Sequence, residues 1–123
     1  MHIVELIGRI FLSVLFLIEG MNKIFNYEST IEYMENFNVP EYLAIPAIIV
    51  EILFPLLLIV GYQTKISALV LAMFTLATAL IFHTDFTNQM QLTSFLKNFA
   101  IAGGFLIIFV NGAGKYSLDH KLS

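Results

Sequence analysis

Seven polar side chains in an otherwise oily chain have the chemistry to hold a ligand, pass a proton or lock helices together. Arg9, Glu19 and Lys23 lie in the first apolar run, Glu51 in the second, His83 closes the third, and Lys97 and Asn98 open the fourth. Arginine and lysine donate to a carbonyl or an anion, while glutamate and histidine accept and return protons. At about 100° per residue, Glu5, Arg9, Ser13, Glu19, Gly20 and Lys23 fall within about 120° of one helix face. A charge turned toward hydrocarbon costs about 3 kcal/mol or more, so such residues face a bundle interior and pair. The spacing therefore predicts a polar seam inside a membrane bundle.

Each candidate has a plainer alternative. Glu51 stands mid-segment with Pro55 four residues on, and proline cannot donate to the Glu51 carbonyl. A kink beside a buried carboxyl group is expected there, protonated if it stands alone and ionised if Arg9 or Lys23 lies near. Such a pair either fixes helix register or handles protons. His83 is either an interfacial histidine bonded to the adjoining loop or a proton-transfer group. Lys97 either snorkels to the headgroups or turns toward Glu19, with Asn98 about 100° around the helix. Glu5 precedes Arg9 by four, so that pair is expected to satisfy itself locally.

The surrounding composition is that of a membrane protein. Of the 123 residues, 59 % are hydrophobic and 12 % charged, against about 45–50 % and 25 % in soluble domains, and the mean hydropathy is +0.86. The net charge of −3 with six scattered Lys and Arg gives no nucleic-acid footprint. The absence of cysteine excludes disulfides, thiolate metal sites and a thiol relay within the chain. No metal-ligand spacing, nucleophile elbow or phosphate-cradling loop occurs. With no Trp, interfacial anchoring falls to the five tyrosines.

Residues 1–123 are expected to form one domain, an all-α polytopic membrane protein built as a four-transmembrane-helix bundle. The spans are read at about 3–25, 43–60, 66–82 and 95–110. Asn26–Tyr42 carries four glutamates opposite Ile31, Met34 and Phe37 and reads as a short interfacial amphipathic segment between the first two. Gly61–Thr64 is a tight link between an antiparallel pair, and Thr84–Ser94 a longer polar loop. Ala68, Ala72, Thr75 and Ala79 form a small-residue packing face that ends in His83. Gly112 and Gly114 end the fourth helix ahead of a polar tail. The N-terminus is not expected to be a cleaved signal, because its basic residue lies inside the apolar run and no small-x-small site follows Ile18. Lys65, Lys115 and Lys121 with the N-terminal amine, against Lys23 and Lys97, favour both termini on the cytoplasmic side.

Four motifs in order carry a family resemblance: Arg9…Phe16…Gly20-x-x-Lys23, Glu51…Leu58…Gly61-x-x-Thr64-Lys65, Phe95-Leu96-Lys97-Asn98…Gly103-Gly104, and Gly112-x-Gly114-x-Tyr116-Ser117-Leu118-Asp119. Together they span nearly the whole chain and resemble the DoxX family of small bacterial integral membrane proteins. The resemblance implies a four-helix bundle in the bacterial inner membrane and an association with membrane oxidoreductases or thiol-oxidation systems. Glu19 and Pro55 depart from the family pattern, which commonly has His and Gly there. The expectation is a membrane subunit, read as a non-catalytic subunit of an oxidoreductase, that supports a redox or envelope-stress system. Its polar seam binds a quinone-like ligand or a partner, with Arg9, Glu19, Lys23, Glu51, His83, Lys97 and Asn98 as the ligand-binding or proton-handling candidates. A quinone is the one cofactor class implied; no metal is. Expected partners are the lipid bilayer, a membrane redox protein and a further copy of the chain. Two other readings stand beside it: an assembly protein whose charges only fix packing, and a small-solute or ion carrier.

Overall fold

The computed structural model describes residues 2–114 and 116–122, and every regular element among them is helical. The order is α1 (His2–Phe25), α2 (Tyr27–Asn36), a 3-10 turn (Glu41–Leu43) leading into α3 (Ala44–Val60), α4 (Thr64–Phe82), α5 (Gln89–Asn111) and the short α6 (Leu118–Leu122). Among the described residues three stretches are long and apolar enough to cross a membrane: Glu41–Val60, Thr64–Phe82 and Gln89–Asn111. At 24 residues, α1 has the length, about 36 Å, but Glu5, Arg9, Glu19 and Lys23 set its composition apart from those three.

The long helices form an open arc in which α1 packs on α3, α3 on α4 and α4 on α5. The arc does not close firmly, because α1 and α5 meet at few residues. Two of those contacts are Phe16 against Phe105, with ring centroids 5.5 Å apart, and Leu12 over Gly104. The core comprises Phe16, Leu58, Ala68, Leu71, Ala72, Ala102 and Phe105. Small residues dominate the α4 face, where Ala68, Ala72 and Ala79 are wholly buried, so neighbouring backbones can approach closely. Outside the arc, large apolar side chains are exposed on every long helix, among them Phe11, Ile18, Ile49, Met73, Leu80 and Ile107. A water-facing surface of that kind would be an aggregation site; a lipid-facing one is solvated.

Local chemistry sets the element ends. Gly61 leaves α3 in the left-handed region (φ 75°), and its N–H and that of Tyr62 both close on the Leu57 carbonyl. The start of α5 lies six residues before the expected Phe95. Asn88 accepts from the Met90 and Gln91 amides at 2.9 and 3.4 Å, so the polar stretch Gln89–Ser94 forms helix although its hydropathy reads as loop. In α2, Met34 is buried while Glu28, Glu32 and Glu35 are exposed, and its aromatic side rests on the end of α4. Tyr33 stacks on Phe82 at 5.2 Å, and Phe37 meets the same ring edge-on at 5.0 Å.

Candidate functional site

The polar seam divides into two poles at opposite ends of α1. At the α2 end, Gly20 lets α1 approach α3: a Cβ there would stand 2.8 Å from Ile52 Cγ1 and 3.3 Å from Glu51 Cβ. One turn further along α1, Lys23 reaches the same carboxyl group, and its Nζ stands 2.6 Å from Glu51 Oε1. The pair is held by charge at close range rather than by a well-directed hydrogen bond, and Glu51 Oε2 has no hydrogen-bond partner among the described residues.

A cavity of about 320 Å³ opens beside this pair. Glu19, Lys23, Glu51, His83 and Asn98, drawn from α1, α3, the end of α4 and α5, all line it. Its far wall is the α4 stripe of Phe74, Thr75, Thr78 and Phe82, and Tyr33 of α2 stands at the edge. His83 Nδ1 lies 3.1 Å from Gln91 Oε1, so the histidine is anchored to the first turn of α5. Asn98 Nδ2 donates to Thr78 Oγ1 at 3.4 Å, tying α5 to α4 across the cavity. Burial pushes the Tyr33 hydroxyl above its ordinary pKa, so it stays a neutral donor at physiological pH. Among the described residues no group of three or more His, Asp or Glu is placed to hold a metal ion.

Arg9 lies at the other pole and does not line this cavity. It is 2 % exposed and donates through Nη1 to Leu58 O at 2.7 Å and Ile59 O at 3.3 Å, and through Nη2 to Tyr116 O. Leu58 and Ile59 are in the last turn of α3, whose carbonyls lack helical partners and carry the negative end of the dipole. The expected local pair with Glu5 is replaced by these carbonyls. Glu5 lies instead toward His2, at 3.5 Å, and against Gly114. The tail folds back over the same point. Asp119 accepts from the Gln63 and Thr64 amides at 2.9 and 2.8 Å, capping α4, and its own N–H bonds Gly61 O at 2.7 Å. Burial pushes the Asp119 carboxyl up, but the hydrogen bonds from Thr64 and Gln63 and the Arg9 charge together hold it below the usual carboxylate range.

The remaining candidate, Lys97, is exposed and does not line the cavity; its neighbour Asn98 takes the inward position. Sequence reasoning passed over Asn22, Tyr33, Thr78 and Phe82 as cavity wall, and Asp119 as a cap. Thr78 follows Thr75 by three on α4, a spacing that placed it near the packed face. Asp119 carries no such signal, because its partners lie 55 and 56 residues away in the chain.

Comparison with known proteins places these features in a family. The DoxX family model matches residues 4–84. The chain is 38 % identical over 118 residues to the inner membrane protein YqjF of Escherichia coli (strain K12), covering 96 % of this chain and 91 % of that one. It is 33 % identical over 123 residues to the inner membrane protein YphA of the same organism, covering 94 % and 88 %. No solved structure matches the chain.

Proposed function

The chain belongs to the DoxX family of membrane proteins, and we propose that it is a membrane subunit that holds a quinone-like ligand in the Lys23–Glu51 cavity on behalf of a membrane redox or envelope-stress system. The observation that carries this reading is a buried carboxyl oxygen, Glu51 Oε2, left without a hydrogen-bond partner among the described residues, on the wall of a cavity that also holds an ammonium, an imidazole and an amide. At about 320 Å³ the space lies at the small end of the roughly 300–1,000 Å³ typical of ligand sites, which suits a single ring. Lys23 and Asn98 are the donors for a ring carbonyl, and Glu51 and His83 the groups that take up or return a proton. The bound quinone would supply the two-electron carrier chemistry that a chain without cysteine lacks. Electrons then enter and leave through a membrane partner protein.

In this reading α1 is a fourth span. Its charges turn inward, with Arg9 buried and Lys23 on Glu51, while Ile3, Val4, Ile7, Phe11 and Ile18 face outward. Exposed acids and a buried Met34 support an interfacial place for α2 beside the cavity, and the lysine distribution favours both termini on the cytoplasmic side. The Arg9 pole favours a structural role for that end, since every hydrogen bond Arg9 makes among the described residues goes to a backbone carbonyl.

The test is native mass spectrometry of the chain extracted gently from its own membrane. A quinone mass is expected on the wild-type protein and at least tenfold less on Glu51→Gln at equal folded yield. A wild-type chain that carries no quinone, or a Glu51→Gln variant that retains it fully, would overturn the reading.

A further inference from the structure

A second, apolar recess adjoins the polar cavity. It has a volume of about 270 Å³ and lies beneath α2, between α3 and α4, with Met34, Leu43, Ala47, Val50, Ala77 and Ile81 among its lining. Phe74, Thr78 and Phe82 line both spaces. These three recur every four residues along α4, so one stripe of a single helix divides the polar compartment from the apolar one. Thr78 commits its hydroxyl to Thr75 O at 2.9 Å and to Asn98, which leaves its methyl for the recess. At the α2 end of the stripe, the Tyr33 and Phe37 rings close over Phe82.

The two compartments ask for opposite chemistry within one molecule's reach. The polar cavity offers a carboxyl oxygen with no hydrogen-bond partner among the described residues, on a side chain 1 % exposed, so a well-matched head donates a hydrogen bond, as the reduced, dihydroxy form of a quinone does. The recess offers nothing polar, and its burial of apolar carbon is the only interaction available. We infer that the ligand of this site is a single-chain amphiphile: its head gives an O–H to Glu51 Oε2, and its hydrocarbon tail crosses the Phe74–Phe82 stripe into the recess beneath α2. This inference rests on the cavity being a ligand site, and it adds the tail route and the donor on the head.

The experiment measures dissociation constants for the full chain in detergent micelles with three probes. These are 1,4-dihydroxybenzene, its decyl derivative, and the decyl derivative with both hydroxyls methylated. Wild type is compared with Ala77→Phe and Ile81→Trp, which fill the recess from exposed positions of α4. Partition of the tail into the micelle is common to all three proteins and cancels in the comparison. Helical circular dichroism of both variants is expected to match wild type. The decyl probe should weaken at least tenfold in both variants, the tail-less probe less than twofold, and the methylated probe should bind wild type at least tenfold more weakly than its parent. Equal binding of the decyl probe by all three proteins overturns the tail route and leaves the cavity as a ligand site, with the recess filled by bilayer lipid. Equal binding of the methylated probe overturns the donor to Glu51. Failure of every probe to bind wild type overturns the inference together with the reading on which it rests.

Discussion

Removing either half of the Lys23–Glu51 pair should have unequal consequences, because the two groups are unequally buried. The Glu51 side chain is 1 % exposed and that of Lys23 29 %. Taking one partner from a buried pair costs about 3–5 kcal/mol, most of it from the charge left behind, whereas replacing both with apolar groups is often neutral or stabilising. In Lys23→Met the orphan is a carboxyl group buried where α1 closes on α3 at Gly20, on a stem too short to carry it to the headgroups. The cost should be about 3 kcal/mol or more. In Glu51→Leu the orphan is an ammonium near the end of α1 that can extend toward the headgroups. That variant should lose about 1 kcal/mol or less, comparable to the small average worth of polar contacts inside membrane bundles. The double variant should return to within about 1 kcal/mol of wild type. Reversible unfolding in mixed micelles, followed by circular dichroism and closed as a double-mutant cycle, reads all three. Equal losses in the two single variants, summing in the double, would refute both the pairing and the asymmetry drawn from burial.

Two further predictions concern the Arg9 pole. Gly61→Ala places a Cβ on a left-handed residue and 2.6 Å from Arg9 Nη1, against Ser117 as well. The loss expected is about 2 kcal/mol or more, with faster tryptic cleavage at Lys121; a variant as stable and as protease-resistant as wild type would show that the tail does not dock there. Asp119 has its carboxyl pKa lowered in the folded chain, so its contribution is fully present above the unfolded value of about 3.9 and is lost as pH falls through the lower folded one. Hydrogen-exchange protection of the Gln63 and Thr64 amides should therefore be flat from pH 7 to about 5 and fall below about 4. Asp119→Asn should be low throughout, and unchanged protection at acid pH in wild type would refute the cap.

Much of this architecture was legible in the residues. The inward stripe Arg9, Ser13, Gly20, Lys23 is a matter of helical period alone, and burial follows it: Arg9, Ser13 and Gly20 are buried while Phe11 and Ile18 face out. Ala68, Ala72, Thr75 and Ala79 are buried for the same reason. Hydropathy alone assigns Gln89–Ser94 to a loop, yet these residues form the first turns of α5. A helix capped by Asn88 and held at its start by the Gln91–His83 contact does not need apolar residues in those turns.

Periodicity decides which way a side chain leaves its own helix; it does not decide what it meets. Glu51 had Arg9 and Lys23 as candidate partners, and the choice of Lys23 depends on how deep α3 sits against α1, a relation set by the glycine approach at Gly20 and by packing at Leu58 and Phe16. Lys97 and Asn98 point about 100° apart, so the rotation of α5 against α4 can bring only one of them inward, and it brings Asn98. The union of Asp119 with Gln63 and Thr64, and of Arg9 with Tyr116, joins ends of the chain that no local pattern links. The sequence by itself determined the solvent, the helices and the inward face of each, because those follow from composition and a 3.6-residue period. Which charges pair and which groups share a cavity was decided by helix depth and rotation, and these exist only once the helices pack.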